Sequence, residues 1–296
     1  MQLKFKNIAI IGRQHTLGVV ETLVALNNYL TSLGVAVVSE KETARLVPDC
    51  KLKIVPRERL SNYCELVIVV GGDGSMLSIA ALAAKQNLPV LGINRGRLGF
   101  LTDIHPDKFD KISEILAGEY REEQRFLLKL ELCSNNKVIA IDTVLNDIVL
   151  SAEIPGKLIE FSLYIDKNYV CDYRSDGLIV ATPTGSTAYA LSGGGPILHP
   201  DLEAVVVVPM FPHNLSSRPI VIKGTSTIEM KIANTNHGPV AVSADGRDGL
   251  MVPLSGIITV HQAEHKLRLI HPTEYDYFAT LRSKLNWESQ LKNVTH

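Results

Sequence analysis

The sequence predicts an α/β N-terminal domain with a parallel sheet, followed by an all-β C-terminal domain and a C-terminal helical tail. Three observations carry this prediction. Up to about residue 122, apolar runs that end in glycine alternate with segments of helical spacing, the pattern of a parallel sheet covered on both faces. From about residue 123 the apolar runs become short, several alternate with polar residues, and turn residues separate them. The last segment, Tyr275 to Leu291, returns to helical spacing at Phe278, Leu281, Leu285 and Leu291. The expected divisions are 1–122, 123–270 and 271–296.

Asn7-Ile-Ala-Ile-Ile-Gly12 reads as a first buried strand, and Leu17, Val20, Leu23, Val24, Leu26, Asn27 and Leu30 give the next segment a helical stripe closed by Gly34. Val35–Val38 is a second strand, and after an irregular charged region Leu66–Val70 is the third. A helix follows at 76–84, a strand at Pro89–Asn94 and a helix within 105–119. In the second half, strand-like runs lie at Phe126–Leu132, Val138–Ile141, Ile148–Leu150, Phe161–Asp166 and Leu178–Ala181. Further runs lie at 204–208, 219–222, 226–233, 239–243 and 257–261.

Length and composition narrow the class. At 296 residues and 46% apolar, the chain has enough material for two packed cores. Thirty basic and 31 acidic residues are mixed along it, for a net charge of −1, so no general attraction to nucleic acid or to an anionic membrane is expected. Any phosphate binding must be local. The N-terminus has no apolar signal region and no apolar run approaches the length of a bilayer span, so the expected compartment is the cytoplasm. Cys50, Cys64, Cys133 and Cys171 form no C-x-x-C pair, which fits reduced packing thiols rather than a zinc site. Nine histidines show no metal spacing, and single ones such as His199, His213 and His271 read as structural. There is no G-x-S-x-G elbow, and Gly12-Arg13-Gln14-His15 lacks the dinucleotide fingerprint.

The stretch that organises the chain is Leu66–Val70 running into Gly71-Gly72-Asp73-Gly74-Ser75 and then a helix. Glycines let backbone N–H groups approach a polyanion, and the helix N-terminus attracts it, so phosphate is the natural guest. A carboxylate there is repulsive unless it binds a metal ion or takes a proton from an attacking hydroxyl, both of which phosphoryl transfer uses. The plainer alternative is that Asp73 only caps the helix. Arg95 and Arg97 leave the following strand on a glycine-containing turn, either as phosphate clamps or as solvated charges. Asn146-Asp147 at the start of a strand either grips a ribose hydroxyl pair or makes an Asx turn. In Arg174 to Pro196, 23 residues hold five glycines and seven hydroxyl side chains, either a lining for a polar ligand or a flexible loop; the incoming strand and Pro183 favour the lining.

Taken together these stretches resemble the NAD kinases. The resemblance rests on Gly71–Ser75, Leu145-Asn146-Asp147, Ser175-Asp176-Gly177 through Gly195-Pro196, Val208–His213 and Leu269-Ile270-His271-Pro272. It covers the chain from about Ile8 to Trp287 and is nearest to members from Gram-negative bacteria. Gly-Gly-Asp-Gly alone is also similar to diacylglycerol kinases, sphingosine kinases and phosphofructokinases, whereas the Asp176–Tyr189 run is specific. The resemblance implies transfer of the γ-phosphoryl group of ATP to the 2′-hydroxyl of the adenosine ribose of NAD, giving NADP. A divalent metal, Mg2+, would come with ATP rather than in a dedicated protein site.

By the same resemblance Asp73 is the base and the backbone of Gly71, Gly72, Gly74 and Ser75 faces phosphates, with Asp73 and Gly74 also bordering NAD. Asn146 and Asp147 hold NAD hydroxyls, and Thr187, Ala188 and Tyr189 its adenine or nicotinamide end. Ala190 and Leu191 continue that NAD-binding segment, while Thr184 and Ser192 belong to the same wall. Asp176 takes a polar end of the dinucleotide, Arg174 is linked to preference for NAD over NADH, and Lys157, Asp245 and Arg247 complete the set. Three positions depart from the family's pattern: Ser75 stands where threonine is commoner, Asp147 where glutamate is usual, and Arg247 where glutamine is frequent. The family also implies a homodimer or homotetramer with a site built partly between domains and partly between subunits.

Two other classes compete. A lipid or sugar kinase would share the glycine turn but need a different acceptor groove. A dinucleotide sensor would bind NAD without turnover, and such a loop has no use for a carboxylate pointed at an anion.

Overall fold

The run at 66–70 becomes the strand Leu66–Gly71, buried at every residue. The structure, a computed structural model, describes residues 3–13, 17–96, 99–154, 156–214 and 216–287. The chain forms two units, one joining residues up to Gln124 with those from Leu267 on, the other Arg125–Lys266.

In the first unit Leu66–Gly71 lies between Asn7–Gly12 and Pro89–Asn94, parallel to both. Ala36–Ser39 and then Lys53–Ile54 extend the sheet beyond Asn7–Gly12, and the end of the long strand Ile257–His271 pairs in parallel with Pro89–Asn94. Numbered along the chain, the strand order is 3-2-1-4-5-6. In this doubly wound order the path across the sheet reverses between the first and fourth strands, and ligands bind at the carboxyl ends there. Gly71 is the last residue of the fourth strand, so the topology sets the glycine turn in that crevice.

The helix Val19–Ser32 buries Val19, Leu23, Leu26 and Leu30 along one stripe. Leu17, Val20 and Val24, which share the apolar spacing, are exposed. Gly34 ends this turn with φ 77°, a conformation glycine adopts freely. Phe109–Ala117 is the next amphipathic helix, burying Ile112, Ile115 and Leu116. The tail contributes the helix Tyr277–Leu285, with Tyr277 and Leu281 buried.

The second unit has a fully antiparallel sheet, in the order Ile220–Lys223, Ala204–Met210, Gly177–Ala181, Asp147–Ala152, Val240–Ala244, Leu250–Val252. Against it pack Asn168–Ser175, Ile159–Ile165, Ile228–Ile232 and the start of Ile257–His271, also antiparallel. Phe161, Leu163, Met230 and Ile258 of one sheet meet Leu150, Val180, Val207 and Val242 of the other in a common core. Alternate residues Ile179, Ala181, Val206 and Val208 form a second cluster with Ala190 and Leu198 on the opposite face. Two buried faces explain why these antiparallel strands read as unbroken apolar runs. Turns at Asn135-Asn136 (φ 50° and 59°) and Asp166-Lys167 (φ 50° and 66°) have the left-handed pair that two-residue hairpins need.

Three strands carry no clear pattern in the sequence: Lys53–Ile54, Asn168–Ser175 and Leu250–Val252. Asn168–Ser175 ends its sheet and is mostly exposed, so it needs few apolar residues. Ile257–His271 also runs well past the expected 257–261. The cysteines are free thiols, and burial pushes that of Cys64 up to about 12.

Gly177 sits opposite Ser151 in the antiparallel sheet, where an added Cβ would collide with the Leu150 carbonyl oxygen and lie 3.1 Å from its carbon. Backbone cannot yield there as a flexible side chain could. Gly177→Ala is expected to lower stability by about 1–3 kcal/mol in denaturant unfolding. A stability equal to that of the parent would overturn this reading of the contact.

Candidate active site

In the first unit, the strand Leu66–Gly71 delivers the glycine turn and the helix Asp73–Lys85 starts directly after it. Gly71 is required by packing, since a Cβ there would collide with the Ser75 side chain. Gly72 and Gly74 are different, because a Cβ on either would meet nothing within 4 Å. Gly74 even costs helix propensity, about 1 kcal/mol relative to alanine in a helix interior. Open space at these two glycines marks a face that protein atoms leave clear. The first N–H groups of a helix lack intrahelical acceptors, and no side chain caps this one.

Asp73 does not serve as that cap. Its Oδ2 accepts the Phe100 backbone N–H at 2.9 Å and its Oδ1 that of Leu101 at 3.0 Å. Each carboxylate oxygen keeps a further lone pair, so the group is oriented yet can still accept a proton. Gly99 completes the clasp, since a Cβ there would overlap the Asp73 carboxylate and lie 2.6 Å from Thr102 Oγ1. Arg95 Nε donates to the Gly18 carbonyl at 2.8 Å, at the start of the helix Val19–Ser32. Arg97, Gln14 and His15 lie outside the described residues.

The second unit builds its polar cluster on another carboxylate. Asp245, in a turn with φ 50°, accepts the backbone N–H groups of Leu145 (2.9 Å), Asn146 (2.7 Å) and Asp147 (3.2 Å). Thr182 pins the same corner: its N–H donates to the Asn146 carbonyl and its hydroxyl to that of Leu145. Gly185 presses on the Asn146 carbonyl so closely that a Cβ would collide with it. Thr184 is buried and accepts from Arg125 at 3.3 Å, and the Thr187 hydroxyl returns to the Thr184 carbonyl. Arg247 is occupied with the turn itself, donating to the Ala244 and Thr143 carbonyls and pairing with Asp142 at 3.0 Å.

Strand register divides the remaining residues into two groups. Asp147 pairs with Ala181 and Ser151 with Gly177, so Asn146, Asp147, Thr184 to Ser192 and Asp245 share one end of the sheet. Asp176, one residue before Gly177, lies at the other end, roughly 17 Å away at 3.3 Å per residue. Arg174, with Glu160 at 3.7 Å, is exposed there, as is Lys157. A cavity of about 430 Å³ reaches from Tyr189 and Ser192 at the first end, past Ile179, to Met210 and Phe211 near Asp176. Tyr189 is 47% exposed beside it, Ala190 is buried, and Ala188 and Leu191 are half-buried.

The sequence reading misses the two backbone donors on Asp73, because amide groups have no residue signature. The signal available is Gly99, where a side chain would run chiefly into the carboxylate. In Arg174 to Pro196 the reading of glycine as room for a ligand needs correction at four positions: Gly177, Gly185, Gly193 and Gly195 are each set by contact with protein atoms.

Asp147 is 5% exposed, and burial first, then the Asp245 charge, push its carboxyl up to about 7 against the Tyr189 backbone hydrogen bond that lowers it. Asp245 is also shifted upward, chiefly by burial. The ordinary value of Asp147 is 3.8, so the folded chain holds a proton there that the unfolded chain releases over the pH range from about 4 to about 7. This contribution to stability is full at low pH and is lost as pH rises to about 7. Asp147→Asn is therefore expected to be more stable than the parent at pH 8, with the gap closing toward pH 5. Thermal unfolding at the two pH values checks it, and a gap independent of pH would overturn the assignment.

Known proteins place this geometry in a family. Residues 8–120 match the ATP-NAD kinase N-terminal domain and residues 145–272 the ATP-NAD kinase C-terminal domain. An NAD kinase of Coxiella burnetii is 50% identical over 290 residues, 98% of this chain and 97% of that protein. Among solved structures, yeast NADH kinase complexed with NADH aligns with a TM-score of 0.88 at 26% identity, covering 98% of this chain and 90% of its own. An NAD kinase from Archaeoglobus fulgidus in complex with ATP aligns with a TM-score of 0.70 at 26% identity, covering 93% and 98%. With both halves matched in order and half of all residues shared with a relative of equal length, the chain belongs to the ATP-NAD kinase family.

Proposed function

We propose that this protein transfers the γ-phosphoryl group of ATP to the 2′-hydroxyl of the adenosine ribose of NAD, giving NADP and ADP, with Asp73 as general base. The observation that supports this most is a carboxylate oriented by the Phe100 and Leu101 N–H groups beside a glycine turn with clear space at Gly72 and Gly74. The 2′-oxygen forms the new bond to the γ-phosphorus, the bond to the β-phosphate oxygen breaks, and Asp73 takes the hydroxyl proton. Backbone N–H groups of the turn and the helix N-terminus stabilise phosphate charge.

The turn offers backbone donors and one carboxylate, a set that suits Mg2+ carried on the phosphates of ATP, since Mg2+ commonly takes only one or two protein carboxylates. Bound there, the cation supplies neutralisation of phosphate charge. Among the described residues no group of three or more His, Cys, Asp or Glu side chains is placed to hold a metal ion.

For NAD, the half-exposed Asn146 offers an amide to ribose hydroxyls, with the more deeply buried Asp147 behind it. Thr184, Thr187, Ala188, Tyr189, Ala190, Leu191 and Ser192 form the wall that receives a planar ring, and the cavity beside Tyr189 has the apolar character a ring requires. Arg174, Asp176 and Lys157, at the other end of the sheet, take a different part of the dinucleotide. Preference for NAD over NADH is assigned to Arg174. Asp245 and Arg247 act by holding the Leu145–Asp147 corner. The acting form is a homodimer or homotetramer in the cytoplasm; among the described residues no helix is long and apolar enough to cross a membrane.

Two variants test the reading. Asp73→Asn is expected to lower kcat for NADP formation by roughly 10²–10⁴ while calorimetric NAD affinity stays within a fewfold of the parent. NAD binding with no turnover by the parent itself would indicate a sensor. Gly74→Ala is expected to leave stability unchanged or raise it by up to about 1 kcal/mol, yet to cut kcat/KM for ATP by roughly tenfold or more because the methyl occupies phosphate space. Full activity of Gly74→Ala would remove the turn from the phosphate site.

A further inference from the structure

Asp73 is oriented by a segment that is itself irregular. Between Gly99 and the Ile104 bridge to Ile93 there is no strand ladder, so the aim of the Phe100 and Leu101 N–H groups depends in part on the side chains around them. Those side chains meet the tail of the chain. Asp103 Oδ2 lies 2.9 Å from His271 Nδ1, and His271 Nε2 lies 3.7 Å from Glu123 Oε2. His271 is 1% exposed, and the Tyr275 ring stacks on it with centroids 3.9 Å apart and planes 13° apart. Glu123 in turn pairs with Arg121 at 3.3 Å. One helix further on, the Tyr277 ring approaches Phe100 at 6.4 Å and Lys284 Nζ stands 5.5 Å from the Phe100 centroid. Lys111 ties the tail down through Glu274 at 2.8 Å.

We infer that His271 is a positioning residue for Asp73, holding Asp103 so that the tail fixes the Phe100–Leu101 backbone against the catalytic carboxylate. The inference rests on the reading of Asp73 as the base. With Nδ1–H donating to the Asp103 carboxylate oxygen, the contact fixes the orientation of the ring. A histidine between two carboxylates in a nearly dry site is a poor way to gain stability, since apolar residues of similar volume commonly do as well or better. What it does provide is direction: Asp103 has one hydrogen-bonded place to be, and Leu101 is two residues away. The other aromatic contacts act on Phe100, the second donor.

The test is a set of steady-state measurements with ATP, Mg2+ and NAD. His271→Phe retains a ring to stack on Tyr275 but removes both nitrogens; His271→Asn retains an amide that can donate where Nδ1–H does. Phe100→Leu leaves the backbone donor and removes the ring under Tyr277 and Lys284, at no cost in buried charge. His271→Phe is expected to lower kcat roughly tenfold to a hundredfold with KM for NAD and ATP within about twofold, as a small misplacement of a catalytic group does. His271→Asn should recover most of that loss, and Phe100→Leu should lower kcat severalfold, again without moving KM. In an Asp73→Asn background His271→Phe should cost nothing more, because the group it positions is gone; independent, multiplying losses would assign His271 to folding alone and overturn the inference. Parental kcat in both His271→Asn and Phe100→Leu, together with multiplying losses or parental kcat in His271→Phe, would also overturn it. Should His271→Phe not fold, Phe100→Leu with an unchanged kcat decides against. Parental activity of Asp73→Asn would instead remove the base assignment on which the inference rests.

Discussion

The two hydrogen bonds from Phe100 and Leu101 to Asp73 tie three pieces of chain together: the glycine turn after the central strand, the segment leaving the next strand, and, through Asp103 and Phe100, the tail. Doubly wound topology brings the turn to the crevice where the sheet reverses. The carboxylate then gives the neighbouring irregular segment a fixed acceptor, and Gly99 lets the two come close. Remove the carboxylate and the Phe100 and Leu101 N–H groups lose their acceptor. Remove the segment and the carboxylate is a freely rotating acid at a helix end.

The second unit solves a similar problem with a different acid. Asp245 gathers three consecutive backbone N–H groups, which buries its charge against partial positive charge and fixes the corner from which Asn146 projects. Asp147 lies nearly inaccessible behind that corner, with burial and its acidic neighbour both opposing ionisation. A glutamate would reach further from the same position. The shorter side chain leaves Asn146 as the accessible polar group of the pair.

How much of this could be read from residues depends on which atoms act. Asn7–Gly12 and Pro89–Asn94 are found at the expected positions because burial on both faces leaves an unbroken apolar run. Asn168–Ser175 escapes notice because an exposed edge needs no such run, and the later half of Ile257–His271 because its middle residues are polar and partly exposed. The glycine turn and the acid in it are visible as residue types. Their clasp is made by peptide groups that any sequence possesses, so only Gly99 hints at it. The density of glycine in Arg174 to Pro196 misleads for the opposite reason, since neighbouring strands and carbonyls, rather than a guest, occupy the space at most of those positions.

The first unit is discontinuous in the chain: its sixth parallel strand and the tail that holds Asp103 come only after the whole of Arg125–Lys266. During synthesis the ribosome therefore releases the glycine turn, the helix after it and the Phe100–Leu101 segment long before it makes His271. A nascent chain that has reached the end of the second unit possesses both strands flanking the turn's own strand but not the sixth strand of the sheet, and none of the contacts from the tail. The orienting shell of Asp73 is in this sense a late event in translation, completed only when the final residues of the sheet have emerged.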